Sequence, residues 1–240
     1  MFKSKIQNPK PKINPNAKLQ IARQKHKSCH LSFVPCHSFV ICALSFVILT
    51  RGCVSVSNSP NSRFYLPGSL PKEPAAERLE IAQGVIVAVG PIGIPEYQDR
   101  PQIVTRNKNG TFSFAQFDRW AEPLDSSLAR ILSEDLSVML PSASFQLFPC
   151  NFAIPLDYQV IVDILQLDSE LAGDMVFAAQ WSIIDARNRK MLFTKKSQFI
   201  QAINPHNYFG LSRALSSAVA SLSKEIAENL VKLSKPPKLQ

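Results

Sequence analysis

A largely apolar run leads directly to a glycine and a cysteine near the start of this 240-residue chain. The run is Phe39–Leu49, basic residues precede it, and Thr50-Arg51-Gly52-Cys53 follows it. A positive segment, an apolar segment of about 7–15 residues and small residues before a cut are typical of a secretion signal. We therefore predict a leader over residues 1–52 and a lipid on Cys53. Under this interpretation only the chain from Cys53 onward contributes to the fold.

The residues before the cysteine leave the mode of anchoring open. Lipid-attachment sequences usually place leucine, a small residue and glycine or alanine before the cysteine, and Arg51 departs from that pattern. The alternative is an uncleaved signal anchor, although Pro35 and His37 interrupt the longer stretch that a membrane-spanning helix requires. Both interpretations place the body on the extracytoplasmic side of a membrane. Val54 after Cys53 is not acidic, which favours the outer membrane.

Positive charge is concentrated in the leader. The chain has 27 basic and 18 acidic residues, a formal charge of +9, and nine basic residues but no acidic one lie in residues 1–52. The remaining residues are therefore formally neutral. Because release of phosphate counterions drives most non-specific nucleic-acid binding, a neutral body argues against a nucleic acid as its partner.

Composition divides the rest of the chain into a tether and a domain. Residues 53–80 are rich in serine, asparagine and proline, which predicts an extended tether. Within it, Arg63–Leu66 is a short apolar patch that could pair with a sheet edge. We predict one structured domain over residues 81–233 and a short tail over 234–240.

Hydrophobic periodicity predicts an α+β domain. Alternation is clearest in Met175–Asp185, where Met175, Phe177, Ala179, Trp181 and Ile183 form an apolar face. Asn109-Gly110 is a strong hairpin signal. Two segments carry apolar residues at three- and four-residue steps, as amphipathic helices do. We expect a mixed, largely antiparallel sheet with two amphipathic helices packed on it. The expected strands are 85–89, 102–106, 111–114, 144–148, 158–167, 175–185 and 191–201, and the expected helices are 123–140 and 207–233.

The sequence contains little machinery for catalysis. His206 is the body's histidine and Cys150 its cysteine after Cys53, a set too small for a metal site. No Gly-x-Ser-x-Gly elbow and no glycine-rich phosphate loop are present. We predict a non-enzymatic protein that needs no metal or cofactor. A hydrolase would require a buried carboxylate pair or a constellation of residues around His206.

Two polar clusters surround the predicted hairpin, at Glu96–Arg106 and Asp118–Leu124. We expect Trp120 to close the core at that corner. Charge-assisted hydrogen bonds are expected to fix the loop before the first helix. The residues expected to form them are Asp99, Arg100, Arg119 and Glu122.

These clusters resemble a known family. The segment Gly90-Pro-Ile-Gly-Ile-Pro-Glu-Tyr-Gln-Asp-Arg-Pro-Gln-Ile-Val-Thr-Arg106, followed by Phe117-Asp-Arg-Trp-Ala-Glu-Pro-Leu124, closely resembles the ABC-type transport auxiliary lipoprotein family. The order of cysteine, loop, helix, long hairpin and terminal helix also agrees. The resemblance covers about residues 60–233. Gln98 stands where the family pattern leads us to expect an apolar residue.

The resemblance implies a role, a location and partners. It implies a non-enzymatic accessory subunit of a lipid transport system, anchored through Cys53 on the periplasmic face of the outer membrane. The implied partners are a tunnel protein with mammalian-cell-entry domains and its inner-membrane permease, and family members can assemble into rings. The signature positions, whose role is unassigned, are Pro95, Tyr97, Arg100, Pro101, Gln102, Arg119 and Trp120.

Docking is not the only function that such a domain could serve. A carrier would hold a lipid in an apolar pocket between sheet and helix, and a deep cavity lined by Phe177, Trp181 and Leu222 would favour it. A signal-anchored inner-membrane protein of the same transport system is a further alternative.

Overall fold

A computed structural model describes residues 60–69, 78–150 and 155–234. The predicted leader, the predicted lipid at Cys53 and the residues after Ser234 lie outside the described residues. No helix within the described ranges is long and apolar enough to span a membrane.

The described residues form eight strands, which are arranged in two sheets, and two helices. The smaller sheet has the strand order β1-β4-β3, and the larger has the order β5-β2-β6-β7-β8. The strands are β1 Arg63–Tyr65, β2 Ile86–Gly93, β3 Gln102–Arg106, β4 Phe112–Trp120, β5 Ser144–Leu147, β6 Tyr158–Ser169, β7 Asp174–Asp185 and β8 Lys190–Ala202; the helices are α1 Leu124–Met139 and α2 Tyr208–Ser234.

The five-stranded sheet forms the framework of the domain. β6, β7 and β8 pair antiparallel, whereas β2 pairs parallel with both β5 and β6. Successive side chains of a strand point to opposite faces, so one face of β7 is fully apolar. The buried residues of that face are Met175, Phe177, Ala179, Trp181 and Ile183, as the sequence predicted.

The two helices supply the other half of the core. Their buried residues recur at three- and four-residue steps, which places them on one stripe of each helix. Asn207 caps the start of α2, where its side-chain oxygen accepts a hydrogen bond from the Gly210 N–H at 2.9 Å. The buried apolar residues are Leu124, Leu128, Ile131, Leu132, Leu136 and Met139 in α1, and Leu211, Leu215, Ala218, Leu222, Ile226 and Leu230 in α2.

The three-stranded sheet joins the tether to the predicted hairpin. β3 and β4 pair antiparallel on either side of the Asn-Gly turn, and β4 is irregular between its pairings with Gln102 and Val104. β1 lies within the segment predicted as tether and pairs parallel with β4, with Arg63 opposite Asp118. The prediction that Arg63–Leu66 pairs with a sheet edge is therefore confirmed.

The α+β class and the two packed helices are confirmed, and the strands divide between two mixed sheets. The β3–β4 hairpin pairs with β1 and forms a sheet of its own, separate from the five-stranded sheet.

Candidate docking surface on the three-stranded sheet

The loop before β3 is fixed to the end of β6 by its tyrosine. The Tyr97 hydroxyl donates to Asp168 Oδ1 at 3.1 Å and accepts from the Leu167 N–H at 3.2 Å. Burial raises the pKa of Tyr97, and the neighbouring Asp168 carboxylate acts in the same direction. The hydroxyl therefore keeps its proton and its donor role at neutral pH.

Gln98 is a polar residue at a position where an apolar one was expected, and a hydrogen bond accounts for its burial. Its side chain is 2% exposed, and its amide Nε2 donates to the Leu167 carbonyl at 2.6 Å. A buried amide is tolerated when it finds a hydrogen-bond partner. Tyr97 and Gln98 thus hold the loop on both polar groups of the Leu167 backbone.

Asp168 is the buried centre of a wider network. Arg106 Nη1 donates to its Oδ2 at 2.6 Å, and Gln166 Nε2 donates to the same oxygen at 2.7 Å. Arg106 ends β3, whereas Asp168 lies in β6, so this ion pair links the two sheets. The sequence did not predict this network, because Tyr97 and Arg106 lie 71 and 62 residues before Asp168 in the chain.

Two exposed phenylalanine rings, each with an arginine guanidinium over it, lie beside this network. Phe112 is 40% exposed and Phe114 is 52% exposed. The Arg100 guanidinium lies 4.5 Å from the Phe114 ring centre, and that of Arg106 lies 6.0 Å from the Phe112 ring centre. Tyr97 stacks on Phe112 with ring centres 4.8 Å apart. The fixed loop therefore supports an exposed surface of aromatic rings and guanidinium groups.

A second network clamps the tether onto β4. Arg63 donates to both carboxylate oxygens of Asp118 at 2.7 and 2.9 Å, and the Tyr65 hydroxyl donates to Oδ1 at 2.8 Å. The hydrogen bond from Arg63 is the main cause of the lowered pKa of Asp118. The Tyr65 ring also lies 6.1 Å from that of Tyr208 at the start of α2. Side chains and parallel pairing together make β1 part of the domain.

Most of the remaining signature positions lie where the start of β3 meets the end of β4. The Pro101 carbonyl accepts from the Trp120 N–H at 2.8 Å, and Gln102 pairs with Arg119 across the strands. The Pro95 carbonyl accepts from the Gln98 N–H at 2.8 Å and closes the turn that carries Tyr97. All seven signature positions therefore belong to the loop before β3 or to the β3–β4 pair.

Trp120 is buried in the core, as predicted, whereas the expected charge-assisted bonds take a different form. Glu122 pairs with Arg130 of α1 at 2.8 Å, and Arg100 lies over a phenylalanine ring. The expectation grouped charges that are close in sequence. Arg130 lies in α1, eight residues after Glu122, and its guanidinium reaches back to the carboxylate that precedes the helix.

Residues 69–227, well over half of the chain, match the sequence model of the ABC-type transport auxiliary lipoprotein component family. The chain belongs to this family. As a lipoprotein component of a transport system, it is a membrane-anchored protein of the cell envelope.

Solved structures share the fold of this auxiliary lipoprotein. An uncharacterized protein superposes with a TM-score of 0.56 at 17% identity, covering 71% of this chain and 99% of its own. A protein from Xanthomonas campestris gives a TM-score of 0.54 at 12% identity, covering 71% of this chain and 95% of its own. No curated protein matches the sequence.

The interior of the auxiliary lipoprotein bears on the carrier alternative. The apolar cavity between sheet and helices that Phe177 and Leu222 line has a volume of only about 10 Å³. A single water molecule needs about that much space, and a lipid chain needs far more. Trp181 is fully buried and does not line this cavity. This cavity is too small to hold a lipid and does not support a carrier.

A larger cleft lies between the β3–β4 turn and the β6–β7 turn, and charged side chains line part of it. Its volume is about 570 Å³, and its lining includes Arg106 and Asp168 as well as Lys108 and Glu170. Lys108 Nζ lies 3.5 Å from Glu170 Oε1, so these charges face each other across the cleft. Such a lining does not fit an apolar ligand.

The residues considered for catalysis do not converge. His206 is exposed. Within the described ranges no group of three or more histidine, cysteine or carboxylate side chains is placed to hold a metal ion.

Proposed function

We propose that this protein is a non-enzymatic accessory subunit of an ABC-type lipid transport system, anchored to the outer membrane through a lipid on Cys53. It docks the transport conduit to that membrane on its periplasmic side. Its partners are a tunnel protein with mammalian-cell-entry domains and the inner-membrane permease of the same system. The mechanism is positional, because an anchor raises the local concentration of the domain beside its partner.

The observation that carries the proposal is the clamp between the tether and β4. Arg63 lies ten positions after Cys53, and a fully extended chain of that length spans about 35 Å at most. Because Arg63 is hydrogen-bonded to Asp118, the anchor would hold the folded domain itself close to the membrane. A filled domain held at a short distance suits docking better than lipid carriage.

Labelling with palmitate tests the anchor. The wild-type protein is expected to incorporate the label and to fractionate with outer membranes, whereas Cys53→Ala is expected to lose both. Cys150→Ala is the matched control, because Cys150 is a half-buried cysteine of the body and should leave labelling unchanged.

Two outcomes would contradict the proposal. Equal labelling and equal outer-membrane recovery of wild type and Cys53→Ala would exclude the lipid anchor. Recovery of the unlabelled protein with inner membranes would favour the signal-anchored alternative.

A further inference from the structure

We propose that the β3–β4 hairpin is a second membrane contact, at which Phe112 and Phe114 enter the interface of a phospholipid bilayer while Arg100 and Lys108 bind lipid phosphates. The inference rests on the lipid anchor of the proposed function and adds a contact made by the folded domain.

The first argument is the placement of exposed apolar side chains. Phe112 and Phe114 are two residues apart in β4, and alternation places both on one face of the strand. Clustered large apolar side chains that are exposed at a protein surface mark interaction sites. Phe64 of β1, the strand beside β4, is also exposed at 64%. The small sheet thus presents aromatic side chains that its own core does not use.

The second argument is the charge that accompanies these rings. Residues 102–117 carry Arg106 and Lys108 and no acidic residue, and the side chain of Lys108 is 85% exposed beside Glu170 at 3.5 Å. Arg100, which follows Asp99 in the chain, lies directly over Phe114. Guanidinium groups bind phosphate through charge-assisted hydrogen bonds. Aromatic rings with long basic side chains are the combination that lies at a membrane surface, with the rings below the headgroups and the charges among them.

The third argument is proximity to the anchor. Arg63 of β1 pairs with Asp118 of β4, and Asp118 lies four residues after Phe114 in the same strand. Since consecutive Cα atoms are about 3.8 Å apart, Phe114 lies within about 20 Å of the point where the tether joins the sheet. A bilayer that holds the lipid of Cys53 is therefore within reach of the hairpin.

The fourth argument is rigidity. The ring of Phe112 stacks on Tyr97, and the Val104 carbonyl of β3 accepts a hydrogen bond from the Ser169 hydroxyl of β6 at 3.3 Å. Together with the ion pair between Arg106 and Asp168, these contacts fix the hairpin to the five-stranded sheet. A surface ordered in advance loses little conformational entropy on binding.

Tryptophan fluorescence tests this contact. The acylated protein is purified from membranes and placed on vesicles of phosphatidylethanolamine and brominated phosphatidylglycerol. Phe114→Trp is compared with Ile200→Trp, because Ile200 is 62% exposed and lies in β8 of the other sheet. The native Trp120 and Trp181 are buried, so the parent protein supplies the baseline. We expect the tryptophan at position 114, but not the one at 200, to shift to the blue and to be quenched at least twofold. Adding Arg100→Gln and Lys108→Gln is expected to reduce that quenching.

The outcomes separate this contact from the anchor. An unquenched tryptophan at position 114 in protein that floats with the vesicles would overturn the contact and leave the anchor intact. A blue shift at 114 that requires added tunnel protein would also overturn it, in favour of a protein interface. Protein that does not float with the vesicles would overturn the anchor and this contact together.

Discussion

At the scale of single residues, Asp118 is the side chain on which the attachment of the tether depends. Asp118→Asn removes the carboxylate that accepts from Arg63 and Tyr65. Hydrogen bonds to charged groups contribute about 1.5–3 kcal/mol, and the exposed side chain of Arg63 favours the lower part of that range. We expect urea unfolding to show a loss of about 1–2 kcal/mol, with Asp99→Asn, at an exposed aspartate, as the control.

Acidification should remove the difference between wild type and Asp118→Asn. The pKa of Asp118 is lowered in the folded protein, chiefly by the hydrogen bond from Arg63. A lowered carboxyl pKa stabilises the fold above the ordinary value near about 4, and this contribution is lost as the pH falls through the folded pKa. A stability difference that is unchanged from neutral pH to pH values well below about 4 would contradict this assignment.

Two residues show which features could be predicted from the sequence and which could not. Trp120 was expected in the core and lies there, 5% exposed, at the end of β4 just before α1. Gln98 was unexpected, since the carbonyl of Leu167 that satisfies its amide is 69 residues away. Local pattern cannot supply such a partner before the fold is known.

At the scale of elements, the start of α2 depends on the absence of a side chain at Gly210. A Cβ atom there would lie 1.8 Å from the Pro205 carbonyl oxygen, which belongs to the backbone and cannot simply rotate away. Gly→Ala in a helix normally stabilises by about 1 kcal/mol. We expect Gly210→Ala to destabilise instead, by about 1–3 kcal/mol or more, as forced overpacking does. Thermal unfolding monitored by circular dichroism measures the change.

Gly173→Ala is the matched control for that substitution. Its Cβ would make only ordinary contact, with the nearest atom, Glu170 Cδ, at 3.7 Å. We expect Gly173→Ala to leave the stability of the fold nearly unchanged and Gly210→Ala to lower it. Equal effects of the two substitutions would show that the close approach to Pro205 does not govern the start of α2.

Helices and strands with strong hydrophobic periodicity could be predicted from the sequence, but the pairing of the strands could not. The alternation of Met175–Asp185 and the stripes of both helices follow from local geometry, and their buried faces agree with the sequence pattern. The small sheet includes the pairing of β1 with β4, whose paired residues lie 55 positions later in the chain. Strand partners of that kind are fixed by tertiary packing, which a single sequence does not reveal.

At the scale of the whole molecule, the described domain combines a filled core with functional candidates at its surface. The helices cover one side of the five-stranded sheet, and the small sheet carries the signature loop, the tether clamp and the exposed rings. These features fit a protein that positions other molecules at a membrane better than one that encloses a ligand.

Purification from solubilised envelopes tests this synthesis on the intact protein. We expect the wild-type protein to recover a tunnel protein with mammalian-cell-entry domains, and native mass spectrometry to show the polypeptide with its covalent acyl chains and no further lipid. The reason is the apolar cavity beside Phe177 and Leu222, whose volume of about 10 Å³ admits no acyl chain. Phe177→Ala is the informative companion, because it enlarges that cavity and is expected to cost about 3–5 kcal/mol of stability without weakening recovery of the partner. One non-covalent lipid per wild-type protein, with no tunnel protein recovered, would instead establish the carrier.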